Sequence, residues 1–245
     1  MPPRFYAPGL DPDSDRFSIF GDEARHLSRV LRLGPGAEVR VFDGRGLERA
    51  AVVDAITRDE VALRLGAVVR PARELPFPLT LVQALLKGDA MDAVVRDATM
   101  LGVAAVQPVL TERCEVPAPS IAKGGRQERW RRIAVASAKQ CGRAVVPEIR
   151  AVLPLHEALN RAKDGTIVVL AEPSSCAGNG IRGLTRPDGA PVTVFVGPEG
   201  GWSEDELSNA ASAGAQFVTL GERTLRADAA ALVVLPVLLY AWDAL

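Results

Sequence analysis

The stretch 194–245, VFVGPEGGWSEDELSNAASAGAQFVTLGERTLRADAAALVVLPVLLYAWDAL, carries the pattern that decides the fold. It reads twice over as an apolar strand, a glycine-bearing loop and a helix, so two loops rich in exposed main chain, 197–201 and 220–226, leave the same edge of a sheet. Glycine at 197, 200 and 201 lets main chain approach a ligand, while Pro198 stiffens the turn before Glu199. Ser203 followed by Glu206 is a capping box, so a helix begins there with its amides turned back towards the loop. Asp228 is read as the cap of the last helix.

Outward from this stretch the same alternation continues. Apolar runs at 79–85, 103–110, 166–170, 192–196 and 216–220 fit buried parallel strands, and helical patterns lie at 89–101, 127–141, 155–163, 204–213 and 228–242. This is an α/β sheet. Residues 1–70 differ: short strands at 16–20, 38–42, 48–56 and 60–65, separated by Gly or Asp turns, suggest a small β-barrel, with one helix at 22–33 capped by Asp22. On that helix Arg25, Arg29 and Arg32 share one face, and Leu27, Val30 and Leu31 take the opposite one. The run VVRPARELPFP, with three prolines, marks an extended linker over 71–78.

Composition narrows the chemistry. A chain of 245 residues, 48% hydrophobic and 24% charged, is long enough for one large domain or two smaller ones. The longest apolar run, 229–242, is too short to cross a membrane and contains Pro236, which places the chain as cytoplasmic with no membrane partner. Cys114, Cys141 and Cys176 form no paired spacing, and His26 and His156 share no metal spacing, so no metal site is expected. Net charge is −1, yet between Lys123 and Arg143 there are seven basic residues against the single acid Glu128, a phosphate-facing pattern that includes Arg129 and Arg143. GRGLER at 44–49 lacks the third glycine of a dinucleotide loop, and no phosphate-binding loop occurs.

The pieces GPEGGWS at 197–203 and LGERTLRADAA at 220–230 resemble the two C-terminal motifs of the SPOUT class of RNA methyltransferases, in the form carried by the RsmE family. The resemblance extends through RFY at 4–6, HLSRVLRL at 26–33, VFDGRG at 41–46, KGDAMDAVVRDATMLGV at 87–103, ERC at 112–114 and QCGRAVVPEI at 140–149. It implies a PUA-like β-barrel RNA-binding domain over 1–70, followed by a SPOUT parallel-sheet domain over 79–245 whose C-terminal segment threads a trefoil knot. It implies a methyltransferase that uses S-adenosyl-L-methionine to modify N3 of a uridine in small-subunit (16S) ribosomal RNA, free or in the assembled subunit. Main chain around Leu170, Gly197, Gly201, Leu220 and Leu225 would hold that cofactor, with Glu172 of LAEP at 170–173 close by. Arg226 and Glu199 are the catalytic candidates, as charge stabiliser and base; a salt bridge for Arg226 and a structural carboxylate at a helix start for Glu199 are the alternatives. Arg4, Arg25, Arg29, Arg32, Lys87, Arg129 and Arg143 are the expected RNA contacts. The chain departs from the family at Ala227 and Ala229, where members usually carry threonines. Because the last helix is apolar on nearly every side, and SPOUT proteins pair, a homodimer is expected with Leu239 near its interface.

Overall fold

A computed structural model of the chain describes residues 2–116, 125–172 and 180–245; Lys123, Pro173 and Cys176 lie outside these. Packing divides the chain into two compact units, one of 1–74 with 138–146, the other of 75–137 with 147–245. The segment 138–146 thus departs from the boundaries expected from sequence, because its side chains Ala138, Ala144 and Val146 cover Phe42 and Tyr6 of the first unit.

In the first unit β1 (Arg4–Tyr6), β2 (Arg16–Phe20), β3 (Glu38–Phe42), β4 (Glu48–Ile56) and β5 (Glu60–Val68) pair in the order β1-β3-β4-β5-β2. Only β1 and β3 run parallel. Along that path β1 and β2 remain the edges, so the expected barrel is a half-barrel. Alternation explains it: Val61, Leu63 and Leu65 of β5 point into a core with Phe5, Leu27, Val41 and Val53, while Arg64, between the last two, faces out.

The helix of this unit corrects two expectations. Helix α1 (Gly21–Arg25) starts after Phe20, so Asp22 lies in its first turn, paired to Arg25 at 3.0 Å, and caps nothing. From His26 to Val30 the helix widens: the Leu31 amide donates to the His26 carbonyl at 2.9 Å, and the Ser28 hydroxyl takes the Ala24 carbonyl at 2.8 Å, a side-chain competitor for the backbone ladder. The wider turn shifts the phase of every later side chain. Leu27 stays buried, whereas Val30 and Leu31 are turned out to solvent, and Arg32, at φ 54°, has left the helix.

The second unit is an all-parallel sheet ordered β12-β10-β11-β6-β7-β8, with β9 also on β7. Its strands are β6 (Leu79–Ala84), β7 (Ala105–Leu110), β8 (Glu148–Ile149), β9 (Leu153–Pro154), β10 (Thr166–Leu170), β11 (Val192–Val196) and β12 (Gln216–Val218). β-branched runs such as VTVFV fit because both faces are covered. Helices α2 (Ala90–Met100), α3 (Arg126–Cys141), α4 (Leu155–Ala162), α5 (Glu204–Ser212) and α6 (Ala227–Ala241) fall within two residues of their expected bounds. One sheet face carries α4 and α5, whose Leu155, Leu159 and Ala210 pack on Val82, Val169 and Phe195; α6 packs against α2 and β11. Since all strands run one way, the loops after β6, β10, β11 and β12 leave one edge together.

Candidate active site

Those loops enclose a cavity of about 590 Å³, within the range of small-molecule sites. The expected cofactor residues Leu170, Glu172, Gly197, Gly201, Leu220 and Leu225 all line it, and so do Glu199, Arg226 and Lys87. Residues distant in sequence converge because each sits just past the end of a strand.

Gly197–Gly201 is shaped by its glycines in two ways. Gly201 adopts φ +69°, and a Cβ there would fall on the Glu172 carboxylate; its amide closes a turn on the Pro198 carbonyl at 3.0 Å. At Gly197 a Cβ would come within 3.1 Å of the Trp202 ring. Downstream, the expected capping box is present: Ser203 Oγ accepts from the Glu206 amide at 3.3 Å, and Glu206 accepts from the Ser203 amide at 3.0 Å. Glu206 has a second duty, accepting the Glu112 amide at 2.8 Å, which ties α5 to the segment after β7. Glu199 accepts from the Lys87 amide at 3.2 Å, and the Lys87 ammonium pairs with Glu115 at the surface.

At the other wall, Arg226 occupies the position before α6 with extended backbone, and Asp228 stands inside the first turn; the expected cap is corrected accordingly. Two bonds, Nε to Oδ1 at 3.1 Å and an amino nitrogen to Oδ2 at 2.9 Å, make a forked pair of these residues. The bond from Arg226, and then the amides of Asp228 and Ala229, hold the Asp228 carboxyl below its ordinary range, while the same carboxylate keeps Arg226 protonated more firmly. A lowered carboxyl titrates late on acidification, so the pair stays intact at neutral pH and is released as the pH falls through that lowered value. Arg226 remains exposed, its guanidinium fixed in direction but open on its far side. Ala227, buried, contributes a methyl to the wall.

Trp202, Arg223 and Thr224 also line the cavity and were not singled out from sequence. For Trp202 a signal existed: a large aromatic between a Gly-rich loop and a helix cap needs a wall to lie on. No three-residue His, Cys, Asp or Glu cluster fit for a metal occurs among the described residues.

The expected RNA contacts separate into two groups. Arg4 is buried and all its donors are engaged: Nε and one amino group on Glu48 at 3.1 and 2.8 Å, the rest on the carbonyls of Ala138, Lys139 and Arg143 at 2.7–2.9 Å. It closes the carboxyl end of α3, stacked over Phe42. Arg143 is likewise buried, on Glu74 at 2.6 Å. Both are structural, and a phosphate role for them is set aside. The basic excess of 123–143 is further reduced by Lys139 on Glu23 and Arg131 on Glu128. Arg25, Arg29, Arg32, Lys87 and Arg129 stay exposed, Arg129 while paired to Asp89 and Asp92.

A glycine-rich, main-chain-lined cavity at the carboxyl edge of a parallel sheet, in a chain that also carries a small β unit, defines a cofactor-binding enzyme with an appended binding module. The family model described as an RNA methyltransferase domain matches residues 73–239, and that of an RNA methyltransferase PUA domain matches 20–66. The chain belongs to the ribosomal RNA small subunit methyltransferase E family. It is 36% identical to the protein of that name from Synechocystis sp. over 87% of this chain and 69% of the relative. Among solved structures it resembles ribosomal RNA small subunit methyltransferase E of Neisseria gonorrhoeae bound to S-adenosyl methionine (TM-score 0.88, 32% identity, 99% of this chain and 98% of the other). A methyltransferase of Legionella pneumophila with bound cofactor SAM matches at TM-score 0.89 and 30% identity, over 98% of each chain.

Proposed function

We propose that the chain transfers a methyl group from S-adenosyl-L-methionine to N3 of a uridine in small-subunit ribosomal RNA. The observation that carries this reading is that three main-chain loops meet Arg226 and Glu199 in one cavity. The residues fit the cofactor. Glycine-rich loops suit an adenosine recognised by backbone groups, and the carboxylates Glu172 and Glu199 suit a sulfonium. When bound, the cofactor supplies an electrophilic methyl group.

Uridine N3 carries a proton, so its lone pair becomes a nucleophile only as that proton leaves. Glu199, oriented by the Lys87 amide, accepts it. The negative charge then spreads onto the flanking uracil oxygens, where the guanidinium of Arg226, aimed by Asp228, offers fixed donors. Arg25, Arg29 and Arg32 of the first unit and Lys87 and Arg129 of the second are the phosphate contacts. The homodimer rests on α6, whose Leu232, Val233, Val237 and Tyr240 form one exposed stripe. Leu239 is fully buried within the chain, so it is not the interface residue. No helix among the described residues is long and apolar enough to cross a membrane, in keeping with action on ribosomal RNA in the cytoplasm.

The test is nucleoside mass analysis of small-subunit RNA from cells with and without the gene. Loss of N3-methyluridine, restored by the purified protein, is expected; loss of a ribose-methylated nucleoside instead overturns the N3 assignment.

A further inference from the structure

Two side chains outside the catalytic pair reach the Gly197 end of the cofactor loop, one by packing and one by hydrogen bonds. Trp202, 8% exposed, donates its indole N–H to the Leu170 carbonyl at 2.9 Å, and its ring lies where a Cβ of residue 197 would stand, 3.1 Å from that position. It therefore ties the loop after β11 to the end of β10 while filling the space beside Gly197. Gln83 approaches from the other side of the sheet. Its neighbours Val82 and Ala84 belong to the apolar cluster that contains Trp202 and Phe195, so alternation along β6 puts Gln83 on the opposite face. It is completely buried, and its amide nitrogen is shared among the carbonyls of Ala84 at 3.2 Å, Gly197 at 3.4 Å and Val196 at 3.5 Å. Its Oε1 has no hydrogen-bond partner. A buried amide left half unsatisfied costs stability, at Gln83 as at Gln107 of β7, whose Oε1 likewise has no partner among the described residues. What sets Gln83 apart from Gln107 is where its amide nitrogen is directed: towards the carbonyls at the start of the cofactor loop, where that of Gln107 serves Pro108 and Ala151.

We infer that Gln83 and Trp202 are positioning residues, a two-sided brace that presets the Gly197 loop for the cofactor before it arrives. The inference rests on the reading of this cavity as the S-adenosyl-L-methionine site. Neither residue takes part in proton removal, so their loss acts on cofactor binding and leaves the chemical step on bound cofactor in place.

The test measures S-adenosyl-L-methionine affinity by calorimetry, and kcat at saturating cofactor, for Trp202→Phe, Gln83→Leu and the double variant. Trp202→Phe keeps an aromatic ring and removes the N–H; Gln83→Leu keeps volume and removes the amide. Each single variant is expected to weaken cofactor binding by about five- to tenfold, the usual worth of one hydrogen bond, with kcat within about twofold. Because both act on the position of one loop, the double variant should lose less than the product of the two. Trp242→Phe is the control: Trp242 is equally buried, in the same unit, and its indole N–H has no partner, so it should leave cofactor affinity unchanged. Gln83→Leu and Trp202→Phe that melt cooperatively and bind with unmodified affinity overturn the brace, as does a loss confined to kcat. If the unmodified protein itself binds no S-adenosyl-L-methionine, it is the proposed function that fails.

Discussion

At the scale of single residues the site depends on where a side chain is missing and on where a charge is held. Gly201 sits at positive φ against the Glu172 carboxylate, so Gly201→Val strains the backbone and drives a branched side chain into the cavity wall. Calorimetry should show S-adenosyl-L-methionine affinity strongly lowered, with the far-UV circular dichroism unchanged. Arg226→Gln keeps length and some hydrogen bonding but removes the cation that faces the developing uracil anion. Single-turnover methyl transfer should slow by about 10² to 10³, while cofactor affinity holds. Arg4 stands apart from the site. Arg4→Met leaves buried Glu48 with only Arg40 at 3.7 Å and removes the donors to three carbonyls. Urea denaturation should register a loss of about 3 kcal/mol, the low end for breaking a buried pair.

Among the elements, the turn over 26–30 shows how one hydroxyl redirects a surface. A regular helix would have lined up Arg25, Arg29 and Arg32 and buried Val30 and Leu31; the wider turn at Ser28 keeps all three arginines exposed and turns the apolar pair out beside them. Changing the three arginines to Ala should flatten the dependence of RNA affinity on salt by roughly two in log–log slope, taking about 0.7 per phosphate contact on single strands. An unaltered slope identifies them as a solvated surface. The strand-to-loop-to-helix repeats behave more simply. Strand runs and helix periods in the second unit were legible because each is buried on a fixed side or on both. The cap at Ser203 was legible because its two partners are three residues apart. Asp22 and Asp228 were misplaced because an acid near a helix start satisfies the same amides from the first turn as from the cap.

For the whole molecule, the exposed stripe of α6 predicts its own partner. Leu232, Val233, Val237 and Tyr240 recur at helical spacing on the side turned away from Val234, Leu235, Leu238 and Leu239. Sedimentation at micromolar concentration should show a dimer, and Val237→Glu a monomer with little activity; a monomeric unmodified protein overturns the pairing. Leu239→Glu would instead unfold the chain by placing a charge in the core. By itself, the sequence determined the second unit's parallel sheet and the loops 197–201 and 220–226, since periodicity, glycine and capping act over a few neighbouring residues, while the loop at 170–173 and most of the cavity residues were implied by the family resemblance. Only the tertiary structure decided which basic residues are available. Arg4 and Arg143 look in sequence like Arg129, yet Glu48 and Glu74 lie 44 and 69 residues away along the chain, and ion pairs over such separations leave no local pattern. The same holds for Trp202, whose bond to Leu170 spans 32 residues, and for 138–146, which joins the first unit because Phe42 needs a cover that the half-barrel does not provide.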